Sequence, residues 1–335
     1  MNIDRELRGY LIRIATGFVA TISVFTIYTL LSIYYLSTPR DDLYLAVSPT
    51  KGVLDYDMFD KNIEDIIAPL LRADVIFLGT SRSQFAFDQE LLTSFFGEFK
   101  LKHFMLGFGN GRSFFPLFLM NKYKLKPRLI IATADDMFFS PIASEYTENT
   151  IKRNYLASIA RTYHSRFLIS QRVIMAKYLD VFKFNNRMNT NQKENLFIFR
   201  SKIQGAYELY GLANGSWILN PSTKKPRSVT PGNDGCEVDQ AFLDTAIRFR
   251  DNEGLNNTNI ALITVPYPGY CSGRARIIAN YLGVPYLEPI SDKLTTFDSS
   301  HLEKASATKF TFQFISVLRN HQEVMGILSG NKSTR

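Results

Sequence analysis

The sequence is poor in residues that bind transition metals. Its 335 residues include only two cysteines and four histidines. Cys236 and Cys271 are far apart in a spacing that suggests no zinc site, and the histidines form no ligand cluster. The sequence therefore predicts a protein with no metal and no cofactor. It also has no recognised nucleic-acid-binding motif, so nucleic acid is not an expected partner.

The composition is that of a globular protein with a basic surplus. Charged residues make up 21% of the chain and hydrophobic residues 45%, which excludes a dominant disordered region. The formal net charge of +8 makes an anionic partner or surface plausible. The surplus is concentrated in residues 151–210, which hold 11 Lys and Arg against 3 Asp and Glu. A solvated basic face is the alternative interpretation.

An uncharged stretch near the start predicts a membrane anchor. Residues 14–36 carry no charge, and as a helix rising ~1.5 Å per residue they would cross a bilayer core of roughly 30 Å. A cleaved signal peptide is the alternative, but its apolar core is only about 7–15 residues long. Arg5, Arg8 and Arg13 precede the stretch. The positive-inside rule then places residues 1–13 in the cytoplasm.

This topology places the main domain outside the cytoplasm, in the periplasm or at the cell surface. A disulfide between Cys236 and Cys271 is possible in such a compartment. Two buried thiols are the alternative.

From residue 61 onwards, strand and helix patterns alternate, which predicts an α/β fold with a parallel sheet and helices on both faces. The predicted strands are Val75–Leu78, Lys102–Gly107, Arg128–Ala134, Asn259–Val265 and Val284–Leu287. The predicted helices are Asn62–Leu71, Gln89–Phe96, Ser113–Lys124, Arg274–Leu282 and Leu302–Leu318.

Segments outside this alternation complete the predicted organisation. Residues 37–60 are predicted to be a linker, and residues 326–335 a tail to the domain of residues 61–325. Residues 140–235 are predicted to be a mostly helical insertion whose second half, from Gly211 to Asp234, is loop. An insertion after a strand lies over the crevice of the sheet, so we expect a lid or a substrate platform.

A serine follows the first predicted strand. The apolar run from Val75 to Leu78 suits a strand buried on both faces, and Gly79 permits a tight turn after it. Ser81 then lies at the carboxyl end of the strand, where open α/β sheets bind ligands. A hydroxyl there can act as a nucleophile beside backbone N–H groups. Alternatively, Thr80, Ser81 and Ser83 are only caps and turn formers.

An acid and a histidine lie close together near the other end of the chain. Asp298 precedes His301 by three residues. A nucleophilic serine needs a base, and the base needs an orienting acid, so these two residues supply both roles from one turn. Ser300 and Glu303 also fit a capping box for the following helix, with Asp298 as a turn residue.

This pattern resembles the SGNH (GDSL-type) superfamily of esterases and acyltransferases. Those proteins have a flavodoxin-like three-layer α/β/α fold. A serine follows their first strand, a glycine the second and a polar residue the third, and Asp-x-x-His lies near the C-terminus. By this resemblance Ser81 is the nucleophile, Asp298 and His301 are the acid and the base, and Gly109 (or Gly107) is the oxyanion glycine.

The resemblance covers roughly residues 72–138 and 258–320 and leaves the insertion unaccounted for. The segment that contains Ser81 is Gly-Thr-Ser-Arg, whereas Gly-Asp-Ser is common in the family. With the N-terminal anchor, this variant is closer to membrane-tethered members, the proteins of teichoic-acid D-alanylation and alginate O-acetylation.

The segment after the third predicted strand departs from the family. In the family this segment usually ends in Gly-x-Asn-Asp, and the asparagine donates a hydrogen bond to the oxyanion. In this sequence the position of the asparagine is taken by Asp135. An ionised carboxylate accepts hydrogen bonds and would repel an oxyanion. We therefore expect that Asp135 is protonated, that it points elsewhere, or that Asn110 or Arg82 supplies the missing donor.

The resemblance implies a membrane-anchored esterase or O-acyltransferase that works through an acyl-enzyme on Ser81. The implied partners are a cell-envelope glycan or other acyl-ester substrate, the membrane, and a membrane-bound acyl-transfer protein. A non-catalytic glycan-binding or scaffold protein of polysaccharide assembly is the alternative, favoured by Asp135. A soluble flavoprotein leaves residues 14–36 unexplained and has no need of His301.

Overall fold

A five-stranded sheet, parallel throughout, positions the candidate residues. The strands are β2 (Val75–Thr80), β3 (His103–Phe108), β4 (Leu129–Thr133), β9 (Asn259–Ile263) and β10 (Tyr286–Leu287). They lie side by side in the order β3-β2-β4-β9-β10. When these five strands are numbered 1 to 5 along the chain, the order is 2-1-3-4-5, which is that of flavodoxin-like doubly wound sheets.

The computed structural model describes most of the chain. The described residues are 3–35, 40–47, 55–109, 112–135, 137–142, 144–165, 167–168, 196–213, 216–219, 227–232, 237–252, 255, 259–290 and 292–330.

Helices cover both faces of the sheet, because side chains alternate along each strand. Ile76 and Leu78 point into one apolar cluster, and Val75 and Phe77 point into the other. The first face carries α2 (Asp55–Lys61), α3 (Ile67–Leu70), α6 (Phe114–Lys122), α9 (Gln240–Arg250) and α10 (Ser272–Leu282). The second face carries α5 (Gln89–Glu98), α11 (Lys304–Asn320) and α12 (Gln322–Leu328).

The α/β prediction is confirmed for this part of the chain. Each predicted strand and helix has a counterpart whose ends lie within two residues of the prediction, although the helix predicted from Asn62 is divided into a 3₁₀ turn at Ile63–Asp65 and α3. The division follows from left-handed backbone conformations at Asn62 and Glu64, which an α-helix does not allow.

A second, antiparallel sheet corrects the prediction for the linker and the insertion. Its strands are β1 (Leu43–Val47), β5 (Leu196–Ser201), β6 (Tyr207–Ala213) and β7 (Ser216–Leu219). They lie side by side in the order β1-β5-β6-β7. One strand comes from the predicted linker and three from the predicted insertion. The β1–β5 pairing joins segments that are remote in sequence, so local patterns carry little trace of it.

The described part of the insertion is therefore not mostly helical. It begins with α7 (Glu145–Lys152) and α8 (155–165), and the antiparallel strands follow. The segment predicted to be loop from residue 211 contains the end of β6, all of β7, and β8 (Arg227–Ser228), which pairs with β11 (Thr295–Thr296).

Basic residues of the insertion form internal ion pairs with the aspartates of α2. Arg153 and Arg161 both bind Asp57, which is fully buried. Arg200 Nη1 lies 2.8 Å from Asp55 Oδ2, and neither side chain is exposed. These three arginines neutralise buried carboxylates, so they do not contribute to an exposed basic face.

The N-terminal helix α1 runs from Ile3 to Tyr35. Its segment Leu7–Ile27 has 21 residues and a mean hydropathy of 1.7, and the described part of the protein buries none of these residues. One N-terminal helix is thus long and apolar enough to cross a membrane.

Candidate active site

Ser81 begins a short helix at the carboxyl end of β2. This helix, α4 (Ser81–Gln84), lies directly on two glycines, Gly79 and Gly107, which are partners across β2 and β3. A Cβ at Gly79 would come within 2.3 Å of Ser83 Oγ, and a Cβ at Gly107 within 2.8 Å of Gln84 Nε2. Glycine is needed at both positions because α4 approaches the strands this closely.

Hydrogen bonds fix α4 in this position. The Ser83 hydroxyl donates to the carbonyl of Thr80 at 2.7 Å. The Gln84 amide donates to the carbonyls of Met105 and Gly107 at 3.2 and 2.7 Å. Ser83 and Gln84 are buried, whereas Ser81 is partly exposed, so the Ser81 side chain faces accessible space from a rigid support.

A closed loop holds Asp298 and His301. Thr296 and Leu302 form a β-bridge across the base of the loop, and the N–H of Phe297 donates to the carbonyl of His301. Within the loop, Asp298 Oδ1 accepts from the N–H groups of Ser300 and His301 at 3.0 and 2.9 Å. Asp298 is therefore a turn residue, and one of its oxygens remains available to the histidine ring.

The structure brings the three predicted residues into one hydrogen-bonded chain. His301 Nε2 lies 2.8 Å from Ser81 Oγ, and His301 Nδ1 lies 2.7 Å from Asp298 Oδ2. When Nδ1 carries the proton and donates to Asp298, Nε2 is left to accept from the Ser81 hydroxyl. This arrangement can take the proton from Ser81 as its oxygen attacks an electrophile.

Asp298 stays ionised beside His301. Burial alone would raise its pKa, but the hydrogen bond and charge of His301 and the N–H groups of Ser300 and His301 outweigh burial. The net result is a pKa of Asp298 below its ordinary value of 3.8. A carboxylate in this state can orient the imidazole ring and stabilise its protonated form.

Two phenylalanines fix the His301 ring. Phe297 stacks on the ring at 5.6 Å between centroids, and Phe85 packs edge-on at 5.0 Å. Both contacts restrict ring rotation, so the imidazole stays aligned between Ser81 and Asp298.

The capping-box interpretation of this segment is wrong. Helix α11 begins at Lys304 with Glu303 as its N-cap residue, and among the described residues no side chain caps it. The Ser300 hydroxyl instead accepts a hydrogen bond of 3.3 Å from Arg82 Nε. Ser300 therefore joins the loop to the residue that follows the serine.

Arg82 lies beside the Ser81–His301 pair. Its guanidinium carbon lies 3.6 Å above the centre of the Tyr267 ring, and Nη1 lies 3.7 Å from Asp135 Oδ2. With its bond to Ser300, the guanidinium is anchored on three sides. It places a fixed positive charge next to the serine.

Asp135 is buried and acts as an acceptor. Its Oδ1 atom accepts hydrogen bonds from the N–H groups of Met137 and Phe138 at 2.9 and 2.7 Å. Its Oδ2 atom accepts a hydrogen bond from the hydroxyl of Thr80 at 2.8 Å. Of the three arrangements expected for Asp135, this geometry matches the one in which the carboxylate is turned to other partners. It ties the ends of β2 and β4 together.

The backbone N–H of Gly109 already makes a hydrogen bond within the protein. It donates to the hydroxyl of Tyr207 at 3.2 Å, and that hydroxyl donates to Asp55 Oδ2 at 2.6 Å. Burial, followed by the neighbouring Asp55 carboxylate, raises the pKa of Tyr207 well above 10, so its hydroxyl keeps its proton. Asn110, the other candidate donor on this loop, lies outside the described residues.

Sequence reasoning missed Tyr207, Asp55 and Phe85. Tyr207 packs edge-on against Phe85 at 5.6 Å, so the antiparallel sheet reaches the site through this tyrosine. Tyr207 lies 152 residues from Asp55 in sequence. No motif or periodicity links residues at such a distance.

Two further features lie away from the serine. Cys271 is disulfide-bonded, and Cys236, the chain's only other cysteine, lies outside the described residues. A cavity of about 360 Å³ opens near the amino ends of β4 and β9, lined by Arg250, Asp251 and Glu323 among others. It contains none of the predicted site residues.

No model of a known protein family matches the chain, and no curated protein matches its sequence. The interpretation of the site therefore rests on its own geometry.

Proposed function

We propose that this chain is a membrane-anchored serine esterase or O-acyltransferase of the SGNH type that acts on acyl esters of a cell-envelope glycan. The observation that carries the proposal is the continuous contact from Asp298 through His301 to Ser81. The 2-1-3-4-5 strand order supports it, since ligands bind such sheets at the carboxyl ends of the strands where the order reverses. Ser81 follows β2 at that point.

In the first half of the reaction, Ser81 Oγ attacks the carbonyl carbon of the acyl ester. His301 Nε2 takes the hydroxyl proton, and Asp298 stabilises the resulting imidazolium. The tetrahedral intermediate then expels the alcohol oxygen, which receives the proton from His301. This step leaves the acyl group on Ser81 and a neutral His301.

In the second half, an acceptor hydroxyl loses its proton to His301 and attacks the acyl carbonyl. The bond to Ser81 Oγ breaks, and the serine regains a proton from His301. Water as acceptor makes the protein an esterase, and a sugar hydroxyl makes it a transferase. The Ser81 side chain is partly exposed, which leaves room for either acceptor.

The oxyanion is stabilised by the N–H of Ser81 and by the N–H of Gly109 after Tyr207 releases it. The fixed guanidinium of Arg82 adds positive charge nearby. In this scheme Asp135 gives no hydrogen bond to the oxyanion. It acts by holding Arg82 and the strand end in place.

We base the proposed cellular setting on α1, whose apolar segment is long enough to cross a membrane. Arg5, Arg8 and Arg13 favour a cytoplasmic N-terminus, so in this proposal the domain that carries Ser81 lies outside the cytoplasm. The disulfide at Cys271 fits an oxidising compartment. A tethered enzyme there meets envelope glycans and membrane-bound acyl donors, which gives the proposed substrate class.

A second candidate function is supported by the occupied oxyanion donor. With the Gly109 N–H bonded to Tyr207 and an aspartate at position 135, the fold could serve a non-catalytic glycan-binding or scaffold role. The completed Ser81–His301–Asp298 chain argues against this role, because binding a glycan requires no such alignment.

The test compares full-length wild type with Ser81→Ala in detergent, using an activated acetyl ester. We expect turnover by the wild type, an acyl adduct visible by intact mass, and loss of both in the variant. Addition of candidate sugars then distinguishes transfer from hydrolysis.

Ser94→Ala is the matched control, since Ser94 is exposed on α5, away from His301. Labelling by a fluorophosphonate probe should follow the same pattern as turnover. If neither the wild type nor Ser81→Ala turns over the ester, and no adduct or labelling is seen, catalysis is rejected in favour of the non-catalytic binding or scaffold role.

A further inference from the structure

Helix α8 has an inner face that fixes it to the protein. Ser158 and Thr162 are fully buried, and the Ser158 hydroxyl donates to Asp57 Oδ1 at 2.7 Å. Arg161 Nη1 lies 2.7 Å from Asp57 Oδ2. These contacts with α2 set the rotation of α8 about its own axis, so they also determine which of its residues face outward.

The outer face of α8 is mainly apolar, and His164 is an exposed polar residue at its edge. Leu156, Ala160 and Tyr163 are exposed at i, i+4 and i+7, which places them on one side of the helix. Leu156 is 75% exposed and Tyr163 44%. Residues 167 and 168 are also helical, and Phe167 continues the same row four residues beyond Tyr163. We name these four residues the apolar stripe.

Two more apolar side chains close to the stripe in sequence are exposed. Ile151 and Tyr155, at the end of α7 and the start of α8, are 42% and 54% exposed. Large apolar side chains exposed together mark a surface that contacts a partner or a membrane.

The stripe leads to the N-terminal helix. The ring of Phe167 packs against the ring of Phe25 in α1, with 5.6 Å between their centroids. Phe25 lies within the membrane-length segment Leu7–Ile27. The far end of the stripe is therefore in contact with the part of α1 that is long and apolar enough to cross a membrane.

We propose that α8 lies in the plane of the membrane, with the apolar stripe in the interface of the bilayer that α1 crosses. An interfacial helix of this type places apolar and aromatic side chains at the boundary between headgroups and acyl chains and its polar face away from it. The polar face of α8 is the one fixed to α2. Residues 155–165 would cover ~16 Å of membrane surface at 1.5 Å per residue. The inference does not depend on the reaction at Ser81.

The test uses the full-length protein in nanodiscs and tryptophan quenching by lipids brominated near the headgroup end of the acyl chains. The chain has one tryptophan, so Trp217→Phe gives a silent background. In that background, Leu156→Trp places the fluorophore on the stripe. We expect its emission to fall at least twofold in brominated relative to unbrominated nanodiscs.

Ile290→Trp is the control, because Ile290 is 63% exposed but lies beyond β10, remote in sequence from α8. Its emission should change little. Tyr155→Trp is a second reporter in case Leu156→Trp does not fold, and we expect it to be quenched as well. Unquenched emission from a folded stripe reporter, or equal quenching of the control, would overturn the proposal.

Discussion

The backbone N–H of Gly109 donates a 3.2 Å hydrogen bond to the hydroxyl of Tyr207. The tyrosine belongs to the antiparallel sheet, whereas the glycine follows a strand of the parallel sheet. The donor that the proposed reaction assigns to the oxyanion is thus held by a residue of the antiparallel sheet. An oxyanion would have to compete with the phenol oxygen for this N–H group.

Removing the phenol oxygen should relieve this competition. Tyr207→Phe keeps the ring and its contact with Phe85 but loses the hydroxyl. A neutral hydrogen bond is worth about 1 kcal/mol net, so we expect kcat/KM for an activated acetyl ester to rise up to about fivefold. Steady-state kinetics on the folded variant gives the measurement.

Tyr210→Phe is the matched control, since the Tyr210 hydroxyl donates to Glu208 on the same strand and should not affect turnover. A folded Tyr207→Phe protein with lower activity than wild type would contradict the competition. It would mean that the loop works only when the tyrosine fixes it.

The proposed role of Asp298 predicts a loss of activity without a loss of fold. In Asp298→Asn, Oδ1 can still accept the N–H groups of Ser300 and His301. The amide group then faces His301 Nδ1 and favours the tautomer with the proton on Nε2, which cannot accept from Ser81. We expect kcat to fall by about 10⁴-fold, measured with the same ester.

Asp244→Asn, an exposed change on α9, should leave kcat unchanged. Asp298 also has a lower pKa in the folded protein than in the unfolded chain. Its carboxylate therefore adds to the free energy of unfolding above pH 3.8, and this contribution is lost as the pH falls through the lowered pKa. Wild-type-like turnover by Asp298→Asn would remove the aspartate from the mechanism.

The buried pair of Arg200 and Asp55 should be important for stability. Arg200 donates to Asp55, to the carbonyl of Gly205 and to the carbonyl of Met105, at 2.8, 2.7 and 2.6 Å. Arg200→Met removes all three of these hydrogen bonds and leaves the buried Asp55 carboxylate without its partner cation. We expect the free energy of unfolding to fall by about 3–5 kcal/mol, as measured by chemical denaturation in detergent.

Arg319→Met is the matched control, because its pair with Glu98 is about half exposed on both sides. Exposed pairs contribute roughly 0–1 kcal/mol. In a double-mutant cycle, removing Asp55 as well as Arg200 should cost less than the sum of the two single changes. Equal effects of Arg200→Met and Arg319→Met would refute the prediction.

His103 should make the fold sensitive to acid. Burial lowers the pKa of His103 from 6.5 to about 4. Between these values the unfolded chain binds a proton that the folded chain does not, so stability falls as pH decreases from 6.5 and levels off below 4. The shift corresponds to a loss of up to about 3 kcal/mol.

His103→Gln removes this titration, and its free energy of unfolding should depend less on pH between 6.5 and 4. His164→Gln, at an exposed position on α8, should retain the wild-type pH dependence. Identical pH profiles for wild type and His103→Gln would show that another group governs acid sensitivity.

The parallel sheet was predictable because its signals are local. Each buried strand reads as a short apolar run between polar or glycine-containing turns, and each following helix has its own periodicity. The rule that parallel strands end at one edge of the sheet then placed Ser81 near the crevice. These inferences need only a few neighbouring residues.

The antiparallel sheet was not predictable for the opposite reason. Three of the five strands of the parallel sheet and the first part of the insertion lie between β1 and β5 in the chain. Arg200 reads in the sequence as one of many basic residues, and only its burial against Asp55 distinguishes it. The capping-box motif at Ser300 failed because a positive φ at Ser299 and the bridge from Thr296 to Leu302 determine the backbone there.

Local sequence patterns are enough to predict the apolar N-terminal helix, the parallel α/β sheet, and a serine, an acid and a histidine in suitable places. How these three residues meet depends on the tertiary fold. Ser81 and His301 are 220 residues apart, and only the packing of the loop before α11 against α4 brings them to 2.8 Å. It also decided that Gly109 donates to Tyr207 and that Asp135 binds backbone N–H groups. Hydrogen bonds between remote segments depend on the three-dimensional path of the chain, which short-range patterns do not encode.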